Sequence, residues 1–281
     1  NMRKFARKIR YLFWIGIMLS FVGCNTTKFV PQGEYLLNKA NIKVEDNKDV
    51  AVSSLKNYLQ QKQNTEILGF WKLQLGIYNT SPLDTTKWVS RNARKIGEAP
   101  VIYSPELTDR SIAQLHKAMQ NKGYFRAQVD TTMRVKDRKI DITYHIQAGK
   151  PYTIRRYNVD FQQEELQQVA QNQRTALISE GMQFDVDMLN QERQRITSAM
   201  RRNGCFYFEE DYIRFIADST RGREQVDLTV CMHDYFYQLT PAQQEQVFRH
   251  YKIAHVHFHI DYEIGRAPEG ERMRASMKGD Y

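Results

Sequence analysis

Residues 139–146 read KIDITYHI, and residues 225–232 read QVDLTVCM. Aligned on Ile140 and Val226, the two stretches match position by position. Ile140, Ile142, Tyr144 and Ile146 alternate with Asp141, Thr143 and His145, as Val226, Leu228, Val230 and Met232 alternate with polar neighbours and Cys231. A period of two is the signature of a strand with one buried face. Two such strands in one register point to an internal repeat.

The residues upstream of each strand repeat as well. Asn121-Lys122-Gly123-Tyr124-Phe125 pairs with Arg202-Asn203-Gly204-Cys205-Phe206. Gly123 and Gly204 suit the positive φ of a helix C-terminus, and an aromatic residue follows closely. Before them, Leu115, Ala118 and Met119 correspond to Ile196, Ala199 and Met200, an i, i+3, i+4 stripe on a helix. Ser104 and Asp185 stand where N-caps belong. After each glycine a further strand is expected, over 126–135 and 207–216, turning back at 136–138 and 219–222 into the alternating strand.

The front of the unit repeats too. Residues 35–42 (YLLNKANI) match 152–159 (YTIRRYNV), and 251–258 (YKIAHVHF) begin a third copy. A helix follows the first two, carried by Val52, Leu55, Tyr58 and Leu59 in one and by Leu166, Val169 and Ala170 in the other. The unit is β-α-α-β-β and the fold class α+β: three strands covered on one face by two helices. Two complete units are expected at 35–149 (with an insertion) and 150–235. The start of a third is expected at 250–264, and a polar tail at 265–281.

The N-terminus is different in kind. Arg3, Lys4, Arg7, Lys8 and Arg10 precede an apolar run over 11–22 that ends at Gly23-Cys24. A run of about a dozen residues is short of the ~20 needed to span a bilayer. The layout is that of a signal peptide over 1–23, followed by a tether over 24–34. Gly23-Cys24 resembles a bacterial lipobox, with Phe21 where leucine is usual, so Cys24 is the expected lipid attachment site. Five of the positive charges behind the net +9 lie in this segment, which leaves no clustered basic stripe for nucleic acid. Cys205 and Cys231 are expected as free thiols, buried like small hydrophobes.

A chain of tandem β-α-α-β-β units resembles the POTRA region of the BamA/TamA outer-membrane assembly superfamily. The stretches Gln63–Trp71, Leu75–Asn79, Trp88 and Ile96–Ile102 resemble an insertion in the first POTRA domain of TamA-like lipoproteins of Bacteroidetes. The resemblance implies a non-enzymatic scaffold without cofactor, on the periplasmic face of the outer membrane and held there by lipid. Its expected partners are unfolded outer-membrane protein clients and a TamB-type protein. The membrane β-barrel of that superfamily has no counterpart here in alternating ~10-residue strands. A POTRA segment of a two-partner-secretion transporter is the alternative within this class.

Binding by such modules is β-augmentation on a sheet edge. The hairpin's first strand is the edge that the resemblance implies. Its candidate residues are Ala127, Val129, Thr131 and Met133 in the first unit, and Phe208, Tyr212 and Arg214 in the second. Tyr78, Tyr124 and Phe206 are expected in the core. His255, His257 and His259 share one face of the third unit's strand and are a minor candidate for metal, with Val256, Phe258 and Ile260 opposite them. Glu164-Glu165 and Glu209-Glu210 are sequence neighbours that diverge on a helix or strand, so neither makes an acid–base dyad. No phosphate loop, nucleophile elbow or zinc-protease motif is present.

Overall fold

A computed structural model describes residues 26–66, 72–80, 95–172, 174–220 and 222–256. The chain forms two compact units that divide between Pro151 and Tyr152. Each has a three-stranded sheet with helices on one face.

In unit 1 the strands are β1 (Leu36–Val44), β2 (Gln128–Lys136) and β3 (Lys139–Gln147). Their order is β1-β3-β2, with β1 parallel and β2 antiparallel to the central β3. In unit 2, β4 (Thr153–Asp160), β5 (Ile213–Asp218) and β6 (Gln225–Met232) repeat this as β4-β6-β5. The alternating octets are therefore the central strands, and their eight expected apolar residues are all buried.

The long helix of each unit, α3 (Pro105–Asn121) and α5 (Val186–Arg202), is closed in the same way at both ends. Ser104 Oγ accepts from the Leu107 N–H, and the Asp185 carboxylate accepts from the Asp187 N–H. Gly123 has φ 85° and Gly204 φ 108°. The N–H groups of Gly123 and Tyr124 bond the Gln120 and Met119 carbonyls, and those of Gly204 and Cys205 bond Arg201 and Met200. Both helices thus end in a Schellman motif, with a buried residue (Tyr124, Cys205) just beyond the glycine.

The aspartate of each octet has a structural task. Both first strands carry a bulge, at Leu37/Lys39 and at Ile154/Arg156. The bulged residues are Asn38 and Arg155. Asn38 Nδ2 donates to Asp141 at 2.6 Å, and Arg155 Nε donates to Asp227 at 2.7 Å, with a second bond from its Nη2. The pair differs chemically, but the bulge and its carboxylate anchor are repeated.

Three expectations need correction. The first helix of unit 1 is split into α1 (Val52–Leu55) and a 3-10 turn (Lys56–Tyr58). Leu55 and Leu59 enter the core, while the tightened turn leaves Tyr58 38% exposed. Second, β5 begins at Ile213 rather than near 207. Residues 205–212 are occupied by turns and a 3-10 segment (Glu210–Tyr212), and Phe206 is 65% exposed instead of buried. Third, the expected strand at 251–258 is in no sheet over its described part, 251–256; Ile253 and Val256 are exposed. A single extended segment without a ladder partner gains no sheet hydrogen bonds.

Residues 236–251 pack onto unit 2. Helices α6 (Asp234–Tyr237) and α7 (Pro241–Phe248) place Phe236 and Phe248 against Phe208 and Tyr212. The rings form a closed square with centroids 5.6–5.9 Å apart. Aromatic pairs at such separations add about 0.5–1.5 kcal/mol each beyond area burial. The signal for α7 is local: Thr240-Pro241-Ala242-Gln243 is a capping box with proline at N1, and its reciprocal bonds are formed.

The other face of α5 carries a buried ion pair. Glu192 is fully buried and takes Arg195 Nε and Nη2 at 2.8 Å each. It also accepts from the Leu177 N–H, while Arg195 reaches the Val169 and Ala170 carbonyls on α4 (Glu164–Gln171). The pair joins both helices of unit 2 to the loop between them. Removing one partner of such a pair strands a buried charge at about 3–5 kcal/mol. Glu192→Ala is therefore expected to destabilise unit 2 by about that amount in urea melts, whereas Arg110→Ala, which breaks the exposed Glu106–Arg110 pair, costs less than about 0.5 kcal/mol.

Unit 1 closes differently, through Asp46, which follows β1. Its carboxylate accepts from the backbone N–H groups of Gly149 and Ala148, and these bonds hold its pKa below the ordinary value. A depressed carboxylate contributes stability above its unfolded pKa and loses it as pH falls through the folded one. Acid titration of unit 1 should show this loss below about pH 4, and Asp46→Asn should remove that part of the slope.

Candidate functional site

An exposed sheet edge with an adjoining groove is the feature of unit 1 best suited to binding. β2 flanks the sheet, and its pairing with β3 fixes which groups face outward. The Thr131 N–H is taken by the Asp130 carboxylate at 2.7 Å instead of by β3. Since backbone polarity alternates along an antiparallel strand, residues 129, 131, 133 and 135 present their N–H and C=O groups away from the sheet. Their side chains lie on the helix side, opposite Ile146, Tyr144, Ile142 and Ile140.

Helix α3 does not reach the outer end of this row. Met133 and Val135 are 48% and 54% exposed on the face that is buried in the neighbouring strand. Between α3 and β2 runs an open groove of about 360 Å³, lined by Asp109, Ile112, Ala113, His116 and Val129. An extended segment laid along β2 would find backbone partners at the edge and apolar side chains beside it. On the opposite face a polar chain runs from Thr132 Oγ1 to His145 Nε2 (2.8 Å) and from His145 Nδ1 to Glu45 (2.7 Å). Lys43 first, then His145, keeps Glu45 below the usual carboxylate range.

The edges of β1 and β4 are engaged chiefly at the front of each strand. On β1, the Leu37 N–H bonds the Val101 carbonyl, the Tyr35 carbonyl accepts from Tyr103, and the Ala40 N–H reaches Gln63 Oε1. Val101 and Gln63 belong to the inserted stretch of unit 1, which also carries helix α2 (Leu73–Thr80), whereas Tyr103 corresponds to Phe184 of unit 2; residues 67–71 and 81–94, with Trp71 and Trp88, lie outside the described residues. On β4, Ile154 pairs with Gly181 and Met182, and Tyr152 with Phe184.

The edge of β5 is shorter and guarded. Because the Tyr212 carbonyl is taken by His233 on the sheet side, residues 213, 215 and 217 face outward. Arg193 of α5 donates to the Ile213 carbonyl at 3.1 Å and lies 5.7 Å over the Phe215 ring.

The expected site residues divide accordingly. Val129, Thr131 and Met133 lie on the open edge of β2. Ala127 precedes the strand and is buried in the core. Phe208 and Tyr212 are in the aromatic square, not on an edge strand. Arg214 is on β5 but faces the other side of the sheet, where it binds Asp234 at 2.5 Å. The tight turn after Gly204 uses the residues that the repeat alignment had given to a strand. Tyr124 is in the core as expected, and Tyr78 is half-buried. Cys24, His257 and His259 lie outside the described residues; His255 is exposed.

Cys205 and Cys231 are free, the first buried and the second half-buried. Burial, then the neighbouring Glu165, pushes the Cys205 thiol up to about 11.

Residues 39–149 match the POTRA family, described as surface antigen variable number repeat. The match falls on the unit with the open edge, and unit 2 repeats the POTRA topology. Among solved structures, the chain is similar to BamA from Haemophilus ducreyi lacking POTRA domains 1-3, at 15% identity and a TM-score of 0.35. That likeness covers 70% of this chain and 29% of the other. BamA POTRA3-5 of Haemophilus influenzae matches at 14% identity and a TM-score of 0.30, over 73% of this chain and 99% of that one. CdiB from Escherichia coli matches at 6% and 0.27, over 76% and 30%. No function is carried across at these identities and scores. No match was found among curated protein sequences.

The Asp130 contact covers one donor of the β2 edge, an N–H that an added strand would need. Asp130→Ala frees that donor. In NMR titrations with a short alternating apolar/polar peptide, the variant is expected to bind more tightly than the parent by about two- to tenfold, the equivalent of one modest hydrogen bond.

Proposed function

We propose that the chain is a non-enzymatic scaffold on the periplasmic face of the outer membrane, tethered by lipid on Cys24. It binds unfolded outer-membrane protein clients by adding a client strand to β2 during assembly or translocation of those proteins. The observation that carries this reading is the row of outward backbone groups at 129, 131, 133 and 135, bordered by the α3–β2 groove. Backbone pairing demands little of client sequence, while an alternating client would set its apolar side chains against Ile112, Val129 and Met133. The POTRA match of unit 1 and the signal-like N-terminus support the cellular setting. A TamB-type protein is the proposed partner for handing chains across the periplasm.

Proline separates the edge role from the folding role. At Thr131 the N–H points outward, so Thr131→Pro leaves the β2–β3 ladder intact and blocks an added strand. At Thr132 the N–H serves the ladder, and proline there should unfold the hairpin. Thr131→Pro is expected to retain the parent circular dichroism and melting point within a few degrees, and to lose at least about tenfold in peptide affinity. A folded variant with unchanged affinity would remove β2 as the binding edge. Capture of a single exoprotein in place of several outer-membrane clients would favour a two-partner-secretion role. Mass spectrometry tests the tether, the expected product being a diacylglyceryl group on Cys24.

A further inference from the structure

Glu165, Cys205 and His250 are 40 and 45 residues apart in sequence and converge on one spot of unit 2. His250 Nε2 is 3.2 Å from Glu165 Oε2, and Cys205 Sγ is 4.0 Å from the same oxygen. One ligand atom from each lies within 4.8 Å of the others. The edges of a zinc tetrahedron built with bonds of 2.0–2.3 Å are about 3.3–3.6 Å long. The nitrogen–oxygen edge is therefore formed already, the sulfur–oxygen edge is longer by about 0.4 Å, and the sulfur–nitrogen edge, within 4.8 Å, has to close by at most about 1.2 Å.

The backbone around the cluster is fixed from three sides. Cys205 follows the Schellman glycine, and its N–H is held by the Met200 carbonyl. The Tyr251 N–H donates to the Gly204 carbonyl at 2.8 Å, which draws the segment after α7 across that turn. A Cβ on Gly204 would meet the Tyr251 carbonyl oxygen at 3.2 Å and the His250 ring at 3.3 Å. The glycine is needed for this close approach as well as for its positive φ. Glu165 stands in the first turn of α4, held by the helix backbone.

We propose that Glu165, Cys205 and His250 bind one divalent cation of the zinc type. Thiolate, imidazole and carboxylate together suit a borderline-soft ion, and exclude magnesium or calcium, which favour all-oxygen shells. Binding displaces the thiol proton to solvent and replaces the Glu165–His250 contact by two metal bonds. Cys205 is buried, whereas the Glu165 and His250 side chains are 34% and 55% exposed, so a fourth position opens to water. The ion would clamp the C-terminal segment to the body of unit 2.

The test is titration of the full chain with Co²⁺, followed by displacement with Zn²⁺. Expected are one equivalent bound, a near-ultraviolet thiolate-to-cobalt charge-transfer band, and a rise in melting temperature. Cys205→Ser should abolish the band. His250→Ala, a change at an exposed side chain, should keep the fold and weaken binding at least about tenfold. A variant with His255, His257 and His259 all changed to Ala should retain both band and affinity. Absence of binding, binding without the thiolate band, or binding lost in the triple variant and unchanged in His250→Ala would overturn the site.

Discussion

Only one strand of a three-stranded sheet can use both rows of its backbone hydrogen-bonding groups, and in each unit that strand is the alternating octet. β3 and β6 take a parallel partner on one side and an antiparallel partner on the other. Their even-numbered residues fill the core, while the intervening aspartates, Asp141 and Asp227, anchor the bulges of the neighbouring first strands. The helices cover the apolar side. The outer strands are left with backbone groups that the sheet itself does not use. A fourth strand would complete what three leave open.

The two units handle that opening differently. In unit 1 the inserted stretch runs over the β1 side, and a single aspartate covers part of the β2 side. In unit 2 an arginine from the long helix sits on the β5 edge, and the strand is six residues long against nine. Equal topology therefore does not mean equal availability. The difference rests on Asp130 and Arg193, side chains that the repeat alignment does not distinguish from ordinary surface charge.

Features set by neighbours in sequence were legible before the structure. The central strands, both N-caps, the glycine stops and the division into two units follow from period, cap chemistry and positive φ, which act over a few residues. Features set by distant neighbours were not. Glu192 looks like one more polar helix residue until Arg195 and the Leu177 N–H close around it. Phe208 and Tyr212 fit an alternating strand equally well, and only α6 and α7 decide that they belong to a core. Glu165 reads as one half of a solvated pair; its meeting with Cys205 and His250 spans 85 residues of chain. The bulges at Asn38 and Arg155 lie between, since their aspartate partners are visible in the repeat although their purpose is not.

The pairing of β1 with β3 sets an order on folding. Leu37 meets Ile140 and Ile154 meets Val226, separations of 103 and 72 residues. The first strand of each unit therefore gains its ladder partner, among the described residues, only when the last strand of that unit is in place. The longer separation in unit 1 carries little thermodynamic penalty, since loop closure scales with the logarithm of length and the difference is about 0.3 kcal/mol. Its consequence is kinetic: pairings of such high sequence separation slow folding more than they cost stability.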